Sequence, residues 1–143
     1  MAAALVVAGC ASDGVPPPVD PALIQKSEPG NADRPAFFVQ WRARLPGLTE
    51  RPSIDPSTKL PKYPNAALRD EAEGTTSLET CITTEGKLVD IRIANSSGNL
   101  SLDEATIEWA KTAKYKPAMF NNEPFAVCGY KLDWVWQFTA PVP

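Results

Sequence analysis

The sequence predicts an α+β fold for residues 63 to 138, and three patterns predict it. Thr76, Leu78, Thr80 and Ile82 alternate with Thr75, Ser77, Glu79 and Cys81, the period of two that a half-buried strand requires. Leu102, Ala105, Trp109 and Ala113 recur at helical spacing. Tyr130, Leu132, Trp134, Trp136 and Phe138 then share one parity in a long aromatic segment.

The elements follow in order. Tyr63-Pro64 opens a short helix, with proline where a missing amide costs nothing. Ala67, Leu68 and Ala72 supply its apolar side, and Gly74 suits a left-handed stop. After the first strand, Glu85-Gly86 makes a turn, and Val89, Ile91 and Ile93 continue the alternation on the return strand. Ser96-Ser97-Gly98 breaks it. Ser101-Leu102-Asp103-Glu104 reads as a capping box that starts the second helix, with Trp109 in the core. Lys111 and Lys114 complement the negative helix end, and Lys116-Pro117 stops it. In the last segment Phe125 and Val127 hold the opposite parity to Tyr130, so a bulge is expected at Cys128-Gly129.

Composition narrows the chemistry. The 143 residues hold no histidine, so the commonest general base and metal ligand is missing. Glu71 with Glu73, and Asp103 with Glu104, read as helix-end and solvated charges rather than acid–base pairs. No catalytic residue, metal site or cofactor is expected. The formal net charge of −3, with basic residues scattered among acidic ones, argues against nucleic acid. Cys10, Cys81 and Cys128 show no Cys-x-x-Cys spacing. Binding is the expected role, not catalysis.

The N-terminal portion reads as an address and a tether. Residues 1–9 are apolar and small and run into Cys10, like the tail of a signal peptide. Val7-Ala8-Gly9-Cys10 resembles the lipobox of bacterial lipoproteins, which implies lipidation of Cys10 and anchoring to a membrane. Ala11 favours the outer membrane by resemblance to enterobacterial sorting. A short apolar terminus with an accidental cysteine, or part of a membrane helix, are the other readings. Ten of the fifteen prolines fall between Pro16 and Pro61, so residues 10–61 read as a Pro-rich flexible linker. Phe37, Phe38, Val39 and Trp41 interrupt it, either docking on the domain or lying on a surface as an amphipathic turn.

An ordered set of residues within 62–140 resembles the C-terminal domain of the TonB family of periplasmic proteins. It comprises Tyr63-Pro64, Glu73-Gly74, Glu85-Gly86, Ser96-Ser97-Gly98, Leu102-Asp103, Trp109, Lys116-Pro117-Ala118, Asn122, Pro124 and Phe138. The resemblance implies a three-stranded antiparallel sheet with two helices packed on one face. It also implies that the last strand lends its edge to a short segment of an outer-membrane transporter, in TonB-dependent transmembrane transport. Val127, Gly129, Tyr130, Lys131, Asp133, Trp134 and Trp136 would then form the peptide-binding edge strand. On such a sheet Cys81 and Cys128 fall on plausible neighbours, and a disulfide suits an oxidising periplasm; two unpaired thiols are the alternative. Family members carry a membrane-spanning helix coupled to an inner-membrane motor, where this chain has the lipobox-like cysteine. Peptide binding therefore carries over more directly than force transduction. The alternative is a structural or assembly lipoprotein of the envelope with the same fold and another protein partner. An open strand edge also allows a homodimer.

Overall fold

A computed structural model describes residues 19–30 and 33–138. A 3₁₀ turn at Pro21–Leu23 leads into β1 (Ile24–Lys26), β2 (Phe37–Gln40), β3 (Leu48–Glu50) and β4 (Ser53–Ile54). Helix α1 (Asn65–Arg69), the hairpin β5 (Gly74–Ile82) and β6 (Leu88–Asn95), and helix α2 (Leu100–Thr112) follow. The short β7 (Tyr115–Lys116), β8 (Met119–Phe120) and β9 (Glu123–Pro124) precede the long β10 (Val127–Trp136).

The mixed α+β class is as expected, but the main sheet has five strands rather than three. Its order is β1-β2-β10-β5-β6. The expected trio is the antiparallel β10-β5-β6 part, and β2 adds to it in parallel, bringing β1 along. Residues 19–61 thus do more than tether. Val19, Phe38, Val39 and Leu45 are buried, and the Phe37–Trp41 stretch docks on the domain. Proline density misled because proline forbids long strands, not short ones. Each of β1 to β4 fits between prolines and needs only two to four residues.

The alternation in β5 decides the two faces. Thr76, Leu78, Thr80 and Ile82 are all buried on the helix side, where Leu78, Ile82, Trp109, Ala110 and Phe120 share one core with Val39 and Val127. Cys81 points the other way, to a smaller cluster with Phe38, Ala126 and Cys128. Gly86 closes the hairpin with φ of 86°, and a side chain there would strike the Tyr115 carbonyl oxygen. Only glycine meets both demands.

Four local expectations are corrected. Gly74 begins β5 instead of ending α1; the left-handed residue is Glu71, with φ of 51°. Around it Ala72 N–H donates to Ala67 O at 2.9 Å and Glu71 N–H to Leu68 O at 3.1 Å, the paired bonds that satisfy a helix end. Leu68 is exposed, leaving Ala67 as the buried contact of α1. The cap of α2 is Asn99, whose side chain accepts from Leu102 N–H at 3.1 Å, so Ser101 lies inside the helix.

Asp103 is the fourth correction, because it is buried rather than solvated. Its Oδ1 accepts from Thr76 Oγ1 at 2.9 Å, Ser97 N at 2.9 Å and Ser97 Oγ at 2.8 Å, and its Oδ2 accepts from Ser96 Oγ. It fastens α2 to β5 and to the chain leaving β6. Burial alone would raise its pKa, but the bonds from Ser96, Ser97 and Thr76 outweigh burial and lower it. A lowered folded pKa means stability that is complete above the unfolded value, near 4, and is lost as pH falls through the folded one. Asp103→Asn is therefore expected to cost about 2 kcal/mol at pH 7 and to flatten the acid limb of Tm against pH. An acid limb unchanged by the substitution would show that Asp103 carries no such linkage.

Candidate functional site

The expected bulge exists and organises the site. Val127 pairs with Ile82, the register then shifts, and Tyr130 to Trp136 pair in sequence with Thr80 to Gly74. Gly129 takes φ of 77° within the shift. That turn lets Val127 and Tyr130 both face the helix-side core although they are three residues apart. It also turns Cys128 to the opposite face, where it is joined to Cys81 with an S–S distance of 2.07 Å.

On the other flank of β10, two regimes meet. β2 lies parallel to its start, with Val39 beside Val127 and Gln40 beside Cys128. Val39 N–H donates to Ala126 O at 3.0 Å, and Trp41 N–H to Cys128 O at 2.7 Å. A side chain on Gly129 would collide with the Gln40 carboxamide. Val127 and Gly129, expected in the open edge, are therefore closed off: β2 covers Val127 on its second flank, and Gln40 covers Gly129. From Tyr130 to Trp136 the only strand beside β10, among the described residues, is β5. A strand paired on one flank directs about half of its N–H and C=O groups outward, so among the described residues this stretch is an open hydrogen-bonding edge.

Side chains divide this edge by face. Tyr130, Leu132 and Trp134 are half-buried toward the helices, while Lys131, Asp133 and Val135 are exposed on the opposite face. The aromatic side is held by ring contacts: Trp134 lies 5.1 Å from Trp109, and Tyr130 sits edge-on to both Trp41 and Tyr115. Trp109 is fixed in turn by its indole N–H, which donates to Lys59 O at 2.7 Å. Burial pushes the Tyr115 phenol up to about 12 and raises Tyr130 as well, so both remain neutral donors near pH 7. A cavity of about 540 Å³ lies elsewhere, between the β5–β6 turn and the end of α2. Its charged lining of Lys87, Lys111, Lys114, Asp55 and Glu85 mixes both signs, and the open edge is the better candidate.

Of the residues expected to form the edge strand, Tyr130, Lys131, Asp133, Trp134 and Trp136 lie on the open stretch, with Trp136 buried at its end. Gln40 and Trp41 bound the site and were not anticipated as part of it. The run Phe37, Phe38, Val39 was visible as an apolar island, but nothing in its spacing names β10 as its neighbour. Cys10 and residues 1–9 lie outside the described residues.

Comparison with known proteins agrees with this architecture. The family described as Gram-negative bacterial TonB protein C-terminal matches residues 59–137. The protein TonB of Pseudomonas putida is 34% identical over 82 residues, which cover 52% of this chain and 34% of that protein. The chain thus spans about a third of that curated relative's length. Among solved structures, the TonB2 protein from Vibrio anguillarum is similar over 72% of this chain and 97% of its own, with TM-score 0.51 and 20% identity. The Pseudomonas aeruginosa TonB C-terminal domain, solved by NMR in solution, is similar over 59% of this chain and 85% of its own, with TM-score 0.48 and 16% identity. With more than half of its residues matched by the family's own sequence pattern, the chain belongs to the TonB C-terminal family.

Proposed function

We propose that this protein is a periplasmic protein-binding module that accepts an extended segment of an outer-membrane transporter as an added strand. Family membership brings an envelope, transport-related setting. The observation that carries the finer reading is the run Tyr130–Trp136, paired on one flank only among the described residues. Strand addition needs no catalytic group. The guest's main chain supplies affinity by completing the ladder, and its alternate side chains meet the aromatic and the charged face. Attachment of lipid at Cys10, favouring the outer membrane, belongs to the same proposal and would hold the module where such segments emerge. One acyl chain binds only marginally, so stable anchoring needs more than one. Mass measurement of membrane-extracted protein tests it.

The binding test is an NMR titration of the folded chain with N-terminal periplasmic peptides of transporters encoded in the same genome. Amide signals of Tyr130–Trp136 are expected to move, with those of β6 unmoved. Peptide-induced shifts confined to other elements, or none at saturating peptide, would overturn the reading.

A further inference from the structure

We infer that the open edge of β10 is a slot walled at its start by β2 and ending where β10 itself ends, which fixes the length and register of its guest, and that Trp41 is the specificity-determining residue at its entry. The inference rests on the strand-accepting reading and goes beyond it by naming what the guest must look like.

The entry wall is β2 itself. Run on parallel to β10, it would continue straight along Tyr130–Trp136, but the chain leaves that line at Trp41. The Trp41 indole turns edge-on to Tyr130, with ring centroids 5.6 Å apart. Gln40 fills the space over Gly129 just behind it. The wall is well anchored. Phe38 and Val39 are 3% and 1% exposed and occupy opposite faces of the sheet, so pulling β2 away would open both clusters. Arg34 adds an ion pair to Asp90 at 3.2 Å and lies over the Phe38 ring at 4.6 Å.

The far limit is the end of β10 at Trp136, past which the chain turns toward Tyr63 and the β5 flank and offers no further edge. Phe138 stacks on Tyr63 with centroids 5.1 Å apart, and its N–H donates to Glu73 Oε2 at 2.8 Å. Between the β2 wall and the end of β10 lie the seven residues Tyr130 to Trp136, about 23 Å of strand. The guest is thus an extended polypeptide segment of at most seven paired residues. Its alternate side chains fall on two unlike surfaces. Those on the helix side meet Tyr130, Leu132 and Trp134, and so should be apolar. Those on the other side meet Lys131, Asp133 and Val135, so an acid is favoured near Lys131, a base near Asp133 and an apolar group near Val135. The side chain nearest the entry abuts Trp41, where an aromatic or large aliphatic group is favoured.

The test is a length series of five, seven, nine and eleven residues, cut from the peptide that binds best to the full chain. Affinity is expected to rise from five to seven and then to change less than twofold, while the Val39 and Trp41 amides keep their protection from hydrogen exchange. Trp41→Ala is expected to weaken the seven-residue peptide about fivefold, the scale of one lost aromatic contact, and to leave a five-residue peptide that stops short of Tyr130 unchanged. Affinity that keeps rising to eleven residues with loss of protection at Val39 and Trp41 would overturn the inference, because β2 would then be a displaceable occupant and not a wall. That result leaves strand addition itself intact. Absence of binding by every peptide removes both readings together.

Discussion

Replacing Cys81 and Cys128 together by alanine is expected to lower stability by about 4 kcal/mol, the chain-entropy value for a cross-link spanning roughly 48 residues. The two positions are 47 apart in sequence and both are fully buried, so the space left by the two sulfurs adds a packing loss in the same direction. The loss is large beside the roughly 5–15 kcal/mol that holds a typical domain together. It should also be local in its consequences. The bond joins β5 to the bulge of β10, directly under the point where β2 docks, and Phe38 and Ala126 pack on it. Amide exchange at Val39 and Trp41 should therefore accelerate more in the double variant than exchange at the middle of β5. Denaturant midpoints at equal m-values measure the global term. A shift equivalent to less than about 1 kcal/mol would mean that the unfolded chain is already restricted and the loop model does not apply here.

Much of this fold is legible in its residues because local and global demands agree there. The period of two in β5 selects Thr76, Leu78, Thr80 and Ile82 for the core, and all four are buried. The parity change between Val127 and Tyr130 requires a bulge, and Gly129 supplies the positive φ that one needs. The misreadings share a different origin. Asn99 displaced Ser101 as the cap because Asp103, the acid after the helix start, is pulled back to Ser96 and Ser97 and not to its own helix. That preference depends on Thr76, 27 positions away, which no window along the chain can see. The docking of β2 is non-local in the same sense. Phe38 and Val39 announce that they must be buried, but only the tertiary arrangement decides that β10 is where they go. The result bears on function, since it is β2 that shortens the open edge from the whole of β10 to its last seven residues.

Trp136→Ala is expected to cost about 3–5 kcal/mol, the range for deleting a buried aromatic ring. Trp136 is 3% exposed and is the largest buried residue of the cluster that holds Ala67 and Leu102. Its indole N–H donates to Thr106 Oγ1 at 2.9 Å, and that hydroxyl donates onward to Leu102 O at 2.7 Å. Tyr63 meets the ring edge-on at 5.1 Å and stacks on Phe138, so removing the indole frees both the approach to α1 and the chain leaving β10. Trp136→Phe separates the contributions. It keeps most of the apolar volume and loses the indole donor, leaving the buried Thr106 oxygen without that bond, at about 1–2 kcal/mol. Thermal unfolding of both variants gives the comparison. The alanine form should lose its stability mainly through packing, with α1 the first element to exchange its amides, since Ala67 alone cannot hold five helical residues in place. If the two variants were equally destabilised, the hydrogen bond to Thr106 would dominate, and the ring would not be the packing element that ties the end of β10 to both helices.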